Sequence, residues 1–305
     1  MGLVRDAIIL AGGKGTRMLP ASLFMPKEMM PLIDTPILNH LVWESAKAGV
    51  ERVHIVVSEI KMKILSHFLE EAAVYEEGFV RGDLPKDSLS LGLEGLEIIT
   101  HLQPDAGGVG DAISAALGSI KGPFLVLLGD NLLIKKHVGP MKSGRKHASG
   151  ASLALVEKFE DTGVPCVGVS EVSDEELSKF GCVDLSGERI IGIVEKPEES
   201  SAPSNFVLSG RYLLPHDSAN ILEELPLEEH GEMQSISLLK FLIENGGLNA
   251  VNLEGYRMYD SGDPISWLKS QIDHSLRRED FGRDYKNWLK REFFQDIEND
   301  GDSVD

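Results

Sequence analysis

In the first half of the chain, short apolar runs alternate with longer stretches whose apolar residues recur at helical spacing. Residues 7–10, 53–57 and 124–128 are almost wholly apolar, and 97–101 is centred on β-branched residues. Runs of this length predict strands buried on both faces of a parallel sheet. Residues 36–48 predict a helix, with Thr35 as its N-cap, Pro36 in its first turn and Gly49 closing it. A second helix is expected over 59–70, its apolar face carried by Ile60, Ile64, Leu65 and Phe68, and a third over 110–117. The alternation predicts an α/β chain built on a doubly wound, parallel sheet. The glycine-rich, charged residues 71–95 read as an irregular excursion.

The second half is richer in strand patterns, at 152–156, 166–170, 182–185, 190–195 and 207–214. These predict a mixed sheet that extends the first. Helical spacing returns over 232–244, 264–277 and 285–297. In the last segment of the chain, Phe281, Tyr285, Trp288 and, with Leu289, Phe293 form an aromatic stripe at helical spacing. Such a stripe either docks a terminal helix onto its own domain or forms a subunit interface. Residues 298–305 are acidic and read as a solvated tail.

The strand at 7–10 runs directly into Ala11-Gly12-Gly13-Lys14-Gly15-Thr16-Arg17, and Pro26-Lys27-Glu28-Met29 follows shortly after. Glycines let the backbone approach a ligand and turn its N–H groups toward an anion. Arg17 and Lys27 add fixed positive charge where that anion would sit. A bare glycine turn between strand and helix would account for the glycines but not for the two cations. The ATPase phosphate loop is excluded, because Gly15, not Ser or Thr, follows Lys14. The dinucleotide fingerprint fits Gly13 and Gly15 but fails at Met18, which disfavours a dinucleotide-dependent oxidoreductase. Four prolines between residues 20 and 36 keep 11–35 mostly a long loop, and loops of that length in compact domains are usually functional.

Charge sharpens this reading. The formal net charge of −19 argues against nucleic acid or an anionic membrane as partner. An acidic chain that binds polyphosphates must concentrate its cations locally, as the 14–27 loop does. Cys166 and Cys182 are the only cysteines, and their spacing suits neither a zinc site nor a disulfide framework, so reduced thiols are expected. No apolar run approaches the ~20 residues that span a bilayer. The first strand pattern begins too early to leave room for a signal peptide, and a cytoplasmic location is expected.

The residues at 11–17 resemble the opening motif of the sugar-1-phosphate nucleotidyltransferases. The continuation Met18-Leu19-Pro20-Ala21-Ser22 and Pro26-Lys27-Glu28-Met29-Met30-Pro31-Leu32-Ile33-Asp34-Thr35-Pro36 resembles the bacterial-type branch that uses UTP and glucose 1-phosphate. The resemblance spans roughly residues 4 to 275. It implies a Rossmann-like mixed sheet of the nucleotide-diphospho-sugar transferase (GT-A-like) fold. It also implies one catalytic domain at 1–278, with a nucleotide-binding half near 1–130 and a sugar-binding half near 131–278, then a C-terminal helix and tail at 279–305. Members are commonly oligomers, so a homodimer or homotetramer is expected.

Site roles follow residue by residue from that resemblance. Leu10, Ala11, Gly12 and Gly13 would line the nucleotide, with Gln103 and the Gly108 backbone on the pyrimidine edge. A Gln amide suits that task, offering both donor and acceptor. Asp111 stands where relatives often carry His, and its role stays open. Asp130, just beyond the strand at 124–128, and Asp260, in Asp260-Ser261-Gly262-Asp263-Pro264, would hold Mg²⁺. By their local sequence alone, both also suit ordinary turns. Gly181, Glu195 and Lys196 would meet the sugar phosphate, although a Glu-Lys pair at a strand end is otherwise a solvated one. Arg17, Lys27 and Lys196 would neutralise phosphate charge during catalysis. His54, His67 and His101 lack metal spacing and receive no role.

The implied reaction is transfer of a uridylyl group from UTP to α-D-glucose 1-phosphate. Gly129-Asp130-Asn131 stands where uridylyl relatives often have Pro-Asp, and looks more like the thymidylyl branch. The same chemistry with dTTP or another hexose 1-phosphate is therefore the alternative. A non-catalytic regulatory paralogue is disfavoured, because Arg17, Lys27, Asp130, Lys196 and Asp260 are all present.

Overall fold

A computed structural model of the chain describes residues 2–65, 95–104, 107–224 and 235–293. Strand β1 (Asp6–Leu10) is followed by three single 3-10 turns and a short hairpin, β2 (Pro31–Leu32) with β3 (Thr35–Pro36). Then come helix α1 (Ile37–Lys47), β4 (Arg52–Val57), helical residues 59–65, β5 (Glu97–Leu102), helix α2 (Gly108–Leu117) and β6 (Phe124–Leu128). The four longer strands pair in parallel in the order β5-β4-β1-β6. Chain order reverses between β1 and β6, the kind of crevice where open α/β sheets bind ligands.

The remaining elements are β7 (Asn131–Ile134), α3 (Ala151–Thr162), β8 (Cys166–Glu171), β9 (Gly181–Ser186), β10 (Arg189–Glu195) and β11 (Phe206–Leu214). After these come α4 (Ser218–Glu224), α5 (Ser235–Asn245), β12 (Leu248–Asn252), β13 (Arg257–Asp260), α6 (Pro264–Arg277) and α7 (Gly282–Phe293). β11 joins β6 antiparallel and carries the sheet on to nine strands, ending β11-β8-β12-β10-β9. The expected mixed extension is therefore present. β7 and β13 form a separate two-stranded ribbon.

Successive strand residues point to opposite faces, and here each face has its own core. Ala7, Ile9, Ile55 and Leu127 pack with Leu38 and Leu41 of α1 and Leu155 of α3. Ile8, Val56 and Val126 pack with Ile113 of α2 and Leu238 and Leu239 of α5. Helices on both faces explain why the parallel strands are apolar throughout rather than alternating.

Several expectations are corrected. Residues 152–156 are helix α3, not a strand: Ala151, Ser152, Leu155 and Val156 are buried in the i, i+4 pattern of a helix, closed by Gly163 at φ +67°. Thr35 does not cap α1. It pairs with Leu32 in the hairpin, its hydroxyl donates to Asp34, and α1 begins after Pro36 without a side-chain cap. On the helical segment at 59–65, Ile60 is 75% exposed while Lys61 is 7% exposed, so the buried stripe is Lys61 and Leu65. Phe68 and the rest of that helix, the 71–94 excursion, His67, residues 232–234 and the 294–305 tail lie outside the described residues. β7, β12, β13 and α4 were not expected.

α6 matches its predicted range, because Asp263 caps it by accepting from the Ile265 and Ser266 amides and Pro264 opens it. α7 packs against α6. Its aromatic stripe stacks largely upon itself: Tyr285 lies 5.8 Å from Trp288, and Trp288 lies 5.5 Å from Phe293. Trp288 and Phe293 stay exposed. Cys166 and Cys182 are buried free thiols. Among the described residues, no helix is long and apolar enough to cross a membrane.

Two histidines, His274 buried and His40 half-buried with its Nε2 fully enclosed, link this packing to pH. Burial pulls His40 of α1 down to about 4, and burial with nearby His40, His137 and Arg278 pulls His274 of α6 down to about 3. Both are neutral in the folded chain but protonate near 6.5 once unfolded. Between those values the unfolded chain binds more protons, so stability is complete above about pH 6.5 and falls as pH drops toward 4. Thermal melts should give a flat midpoint from pH 7 to 8 and a steep decline between pH 6 and 4.5. Each histidine contributes up to about 1.4 kcal/mol per pH unit. A His40→Gln variant should show a shallower decline, and equal slopes would contradict this origin.

Candidate active site

Strand register brings Leu10, Gln103, Asp130, Gly181 and Glu195 to one end of the sheet. β1, β4, β5 and β6 are parallel, so Leu10, Val57, Leu102 and Leu128 end together. β11 runs antiparallel to β6, and Val207 near its start pairs with Cys182 of β9. Glu195, at the end of β10, pairs with Gly181 at the start of β9. Gln103, Asp130 and Glu195 thus mark one edge of the sheet, with Asp130 between the other two in strand order.

The first cluster interleaves cations and carboxylates. Asn131 of β7 pairs with Asp260 of β13, and the Ser261 amide and hydroxyl donate to the Asp130 carbonyl. This ribbon holds the two carboxylates side by side. A Cβ built on Gly262 would lie 3.0 Å from both Arg17 Nη2 and Asp260 Oδ1, and 3.6 Å from Asp130 Oδ2. Gly262 therefore leaves the small space that these groups surround. Lys27 Nζ donates to Asp130 Oδ2 at 2.5 Å. Burial would raise Asp130, but the Lys27 ammonium and hydrogen bond hold its carboxyl below the usual range. Asp260 is pushed up, by burial first and then by Asp130 and Asp263, against the Gly262 amide that donates to it.

These two carboxylates fit a divalent cation. They repel each other across a shared space, and an interposed cation relieves that repulsion. Among the described residues, no group of three or more His, Cys, Asp and Glu could hold a metal. Two carboxylates with the remaining positions left to water and phosphate are what magnesium typically takes.

The second cluster lies across β1. The Ala11 amide donates to the Val56 carbonyl, and Gly12 lies directly under Gln103. A Cβ on Gly12 would come within 2.1 Å of Gln103 Oε1, so any larger residue there displaces the Gln103 amide. Gln103 is buried, and its Nε2 donates to Asp111 Oδ2 at 2.7 Å and to the Gly108 carbonyl at 3.1 Å. Asp111, whose role the sequence left open, thus fixes the Gln103 amide. Gly108 opens α2 at φ +90°, and Gly13 is exposed beside the loop.

The third group stands apart from the other two. Gly181 packs against Glu195, with a built Cβ 3.0 Å from Glu195 Oε2. Lys196 Nζ lies 3.4 Å from Glu195 Oε1, and Lys196 adopts φ +43°. Both side chains are largely exposed, in contrast to the first cluster.

Sequence reasoning missed Lys61 and the part played by Glu28. Lys61 Nζ donates to both Glu28 oxygens at 2.8 Å and to the Ala11 carbonyl at 2.7 Å, all buried. Burial pushes the Glu28 carboxyl up and the Lys61 ammonium down, and their contact opposes both shifts. One side chain thereby ties the glycine loop after β1 to the residue next to Lys27. The available signal was a lysine one position from the assumed apolar stripe, but a lysine on a short helix ordinarily reads as solvated.

The nucleotidyl transferase family model matches residues 6–273. The chain is 31% identical over 299 residues to the UTP–glucose-1-phosphate uridylyltransferase of Staphylococcus epidermidis, covering 95% of this chain and 99% of that protein. It is 30% identical over 295 residues to the enzyme of the same name from Haemophilus influenzae, covering 93% and 97%. The UTP-bound UGPase of Acinetobacter baumannii superposes with a TM-score of 0.78 at 27% identity, covering 95% and 99%. The chain belongs to the nucleotidyl transferase family.

Breaking a buried ion pair from one side leaves an uncompensated charge, at about 3–5 kcal/mol. Lys61→Met should therefore lower the unfolding free energy read from denaturant titration by that order. The double variant Lys61→Met/Glu28→Met should recover most of the loss, because neither charge then remains buried. Equal destabilisation of single and double variants would show that the pair contributes packing alone.

Proposed function

We propose that this member of the family transfers the uridylyl group of UTP to α-D-glucose 1-phosphate, giving UDP-glucose and pyrophosphate. The observation that carries the reading is the convergence of Arg17, Lys27, Asp130 and Asp260 on one small space at the switch point of the sheet. The names of the relatives support the choice of UTP and glucose 1-phosphate.

A phosphate oxygen of the sugar phosphate attacks the α-phosphorus of UTP. The new P–O bond forms as the bond to the β-bridging oxygen breaks, and pyrophosphate leaves with that electron pair. The attacking phosphate is already anionic at neutral pH, so no covalent enzyme intermediate is needed. The protein's task is positioning and charge neutralisation. Arg17 holds the phosphates that leave. Lys27 and Lys196 offset repulsion between the sugar phosphate and the α-phosphate. Asp130 and Asp260 hold a divalent cation, Mg²⁺ in this reading, which supplies Lewis-acid stabilisation of phosphate charge when bound.

Base and sugar are read at opposite ends of the crevice. Leu10, Ala11, Gly12 and Gly13 line the nucleotide, and Gln103, oriented by Asp111, faces the pyrimidine with the Gly108 backbone. Glu195 accepts from sugar hydroxyls beside Gly181. Residues up to about 130 make the nucleotide side, and 131–278 make the sugar side.

Pyrophosphate release, measured across a panel of nucleoside triphosphates and hexose 1-phosphates, should be fastest with UTP and glucose 1-phosphate. A preference for dTTP would move the chain to the thymidylyl branch with its chemistry unchanged.

Asp130→Asn should lower kcat by at least about 100-fold, the usual loss when a group stabilising transition-state charge is removed. Excess EDTA should abolish wild-type activity and added Mg²⁺ should restore it. Near-normal kcat in Asp130→Asn at saturating Mg²⁺ would remove Asp130 from the metal site.

A further inference from the structure

The β7–β13 ribbon carries Asp260 at one end and lines a different cavity at the other. That cavity, of about 120 Å³, lies between α1, β7 and the 143–150 loop. It is several times the ~30 Å³ that one water occupies in the liquid. None of the groups assigned above to nucleotide, sugar or metal lines it.

Two features set it apart from a solvent-filled crevice. Trp43 is 1% exposed and lines the cavity, yet its Nε1 donor has no hydrogen-bond partner. His40 Nε2, on the same helix face, is likewise buried and unpartnered. Buried polar atoms are nearly always satisfied, so such a pair calls for an explanation. The second feature is charge. Lys47, Lys135, Lys136 and His147 line the cavity, in a chain whose net charge is −19.

The acidic residues that line it are already engaged. Glu44 is held by Arg211 and Ser152, and Asp34 by Arg278. Lys47 donates to the Ala148 carbonyl, and Lys135 sits over the Tyr256 ring. Lys47 is lowered by burial first and then by Lys136, so two like charges face each other here. Glu44 opposes that shift in part, and buried donors beside two neighbouring lysines are what an anion with several acceptor oxygens satisfies.

We propose that this cavity is a second binding site that takes a small oxyanion of the phosphate class. The Trp43 indole N–H is its buried donor, Lys47 and Lys136 form its cationic rim, and His147 adds a ring N–H. The anion is either free or the phosphoryl head of a small metabolite, since both offer the same oxygens. The site is independent of which nucleotide the catalytic centre uses.

The test reads the ¹⁵N indole resonances of the full chain at neutral pH and constant ionic strength. Trp267→Phe and Trp288→Phe assign the Trp43 signal by elimination, leaving Trp43 itself intact. Inorganic phosphate should move that signal saturably in the millimolar range. Lys47→Met/Lys136→Gln should weaken the response at least ~10-fold, as expected for two lost charge-assisted contacts. Should that double variant not fold, Lys136→Gln alone serves, because Lys136 is exposed. Methyl phosphate separates the sources: a response to it as well assigns a phosphoryl head group, and a response to phosphate alone assigns the free ion. An unmoved Trp43 signal, or one that moves equally in the lysine variants, overturns the proposal. So does a response abolished by Arg17→Ala, which would trace it to the catalytic cleft.

Discussion

A single buried ion pair ties the catalytic end of the sheet to the helices beneath it. Arg211 of β11 and Glu44 of α1 have side chains 0% and 1% exposed. Arg211 Nε and Nη2 reach the two Glu44 oxygens at 2.8 and 3.0 Å, a bidentate contact. The Ser152 hydroxyl of α3 donates to Glu44 at 2.6 Å, and Arg211 Nη2 also donates to the Asn131 carbonyl at 3.0 Å. Four elements therefore meet at two side chains, and the fourth is the residue after Asp130. Desolvation offsets much of the attraction in such a pair, so its net stabilisation is small. Its consequence is geometric. β11 is the strand through which the parallel and mixed parts of the sheet join, and it cannot slide without leaving a buried charge unpaired.

The same constraint shapes the electrostatics of the crevice. Ionic contacts beneath and within it are short and shielded from water, whereas Glu195 and Lys196 at its other end are exposed. Charge interactions strengthen as water is excluded, so the end with Arg17, Lys27 and Asp130 is the strongly charged one. Lys61 contributes by holding the Ala11 carbonyl, which orients the peptides of the glycine loop. An acidic chain can thus concentrate cations locally without raising its overall charge.

What the sequence made legible follows from the range of the interactions involved. β1, β4 and β6 could be read because their apolar runs are bounded by turn residues and need no distant partner to be recognised. α6 could be read to the residue because Asp263 and Pro264 mark its start locally. α3 could not, since its opening run Ala151-Ser152-Leu153-Ala154-Leu155-Val156 satisfies both a strand and a helix, and only the packing against α1 decides. The β7–β13 ribbon was invisible because each strand is only four residues long and its partner lies over a hundred positions away. The cations and carboxylates that meet around Gly262 were legible as candidates through motif, but Lys61, Glu28 and Asp111 act on other residues, and such contacts leave no local pattern.

Gly129 shows how a departure from a family pattern can have a local cause. Its position before Asp130, where uridylyl relatives often carry proline, pointed toward the thymidylyl branch. In this chain the Gly129 amide donates to the Leu10 carbonyl at 3.0 Å, a bond proline cannot make. A Cβ there would lie 2.3 Å from the same oxygen and 3.2 Å from the Glu28 side chain. Glycine is thus required by the close approach of the β1 and β6 ends over the Glu28–Lys61 pair. That requirement concerns the backbone spacing of the two strand ends and carries no information about a base. Gln103, the residue proposed above to face the base, lies across β4 and β1 from this contact and is set by Asp111 and Gly108. The glycine therefore loses its weight as an argument for dTTP, and under the proposed function the choice of pyrimidine rests with the Gln103 end of the crevice.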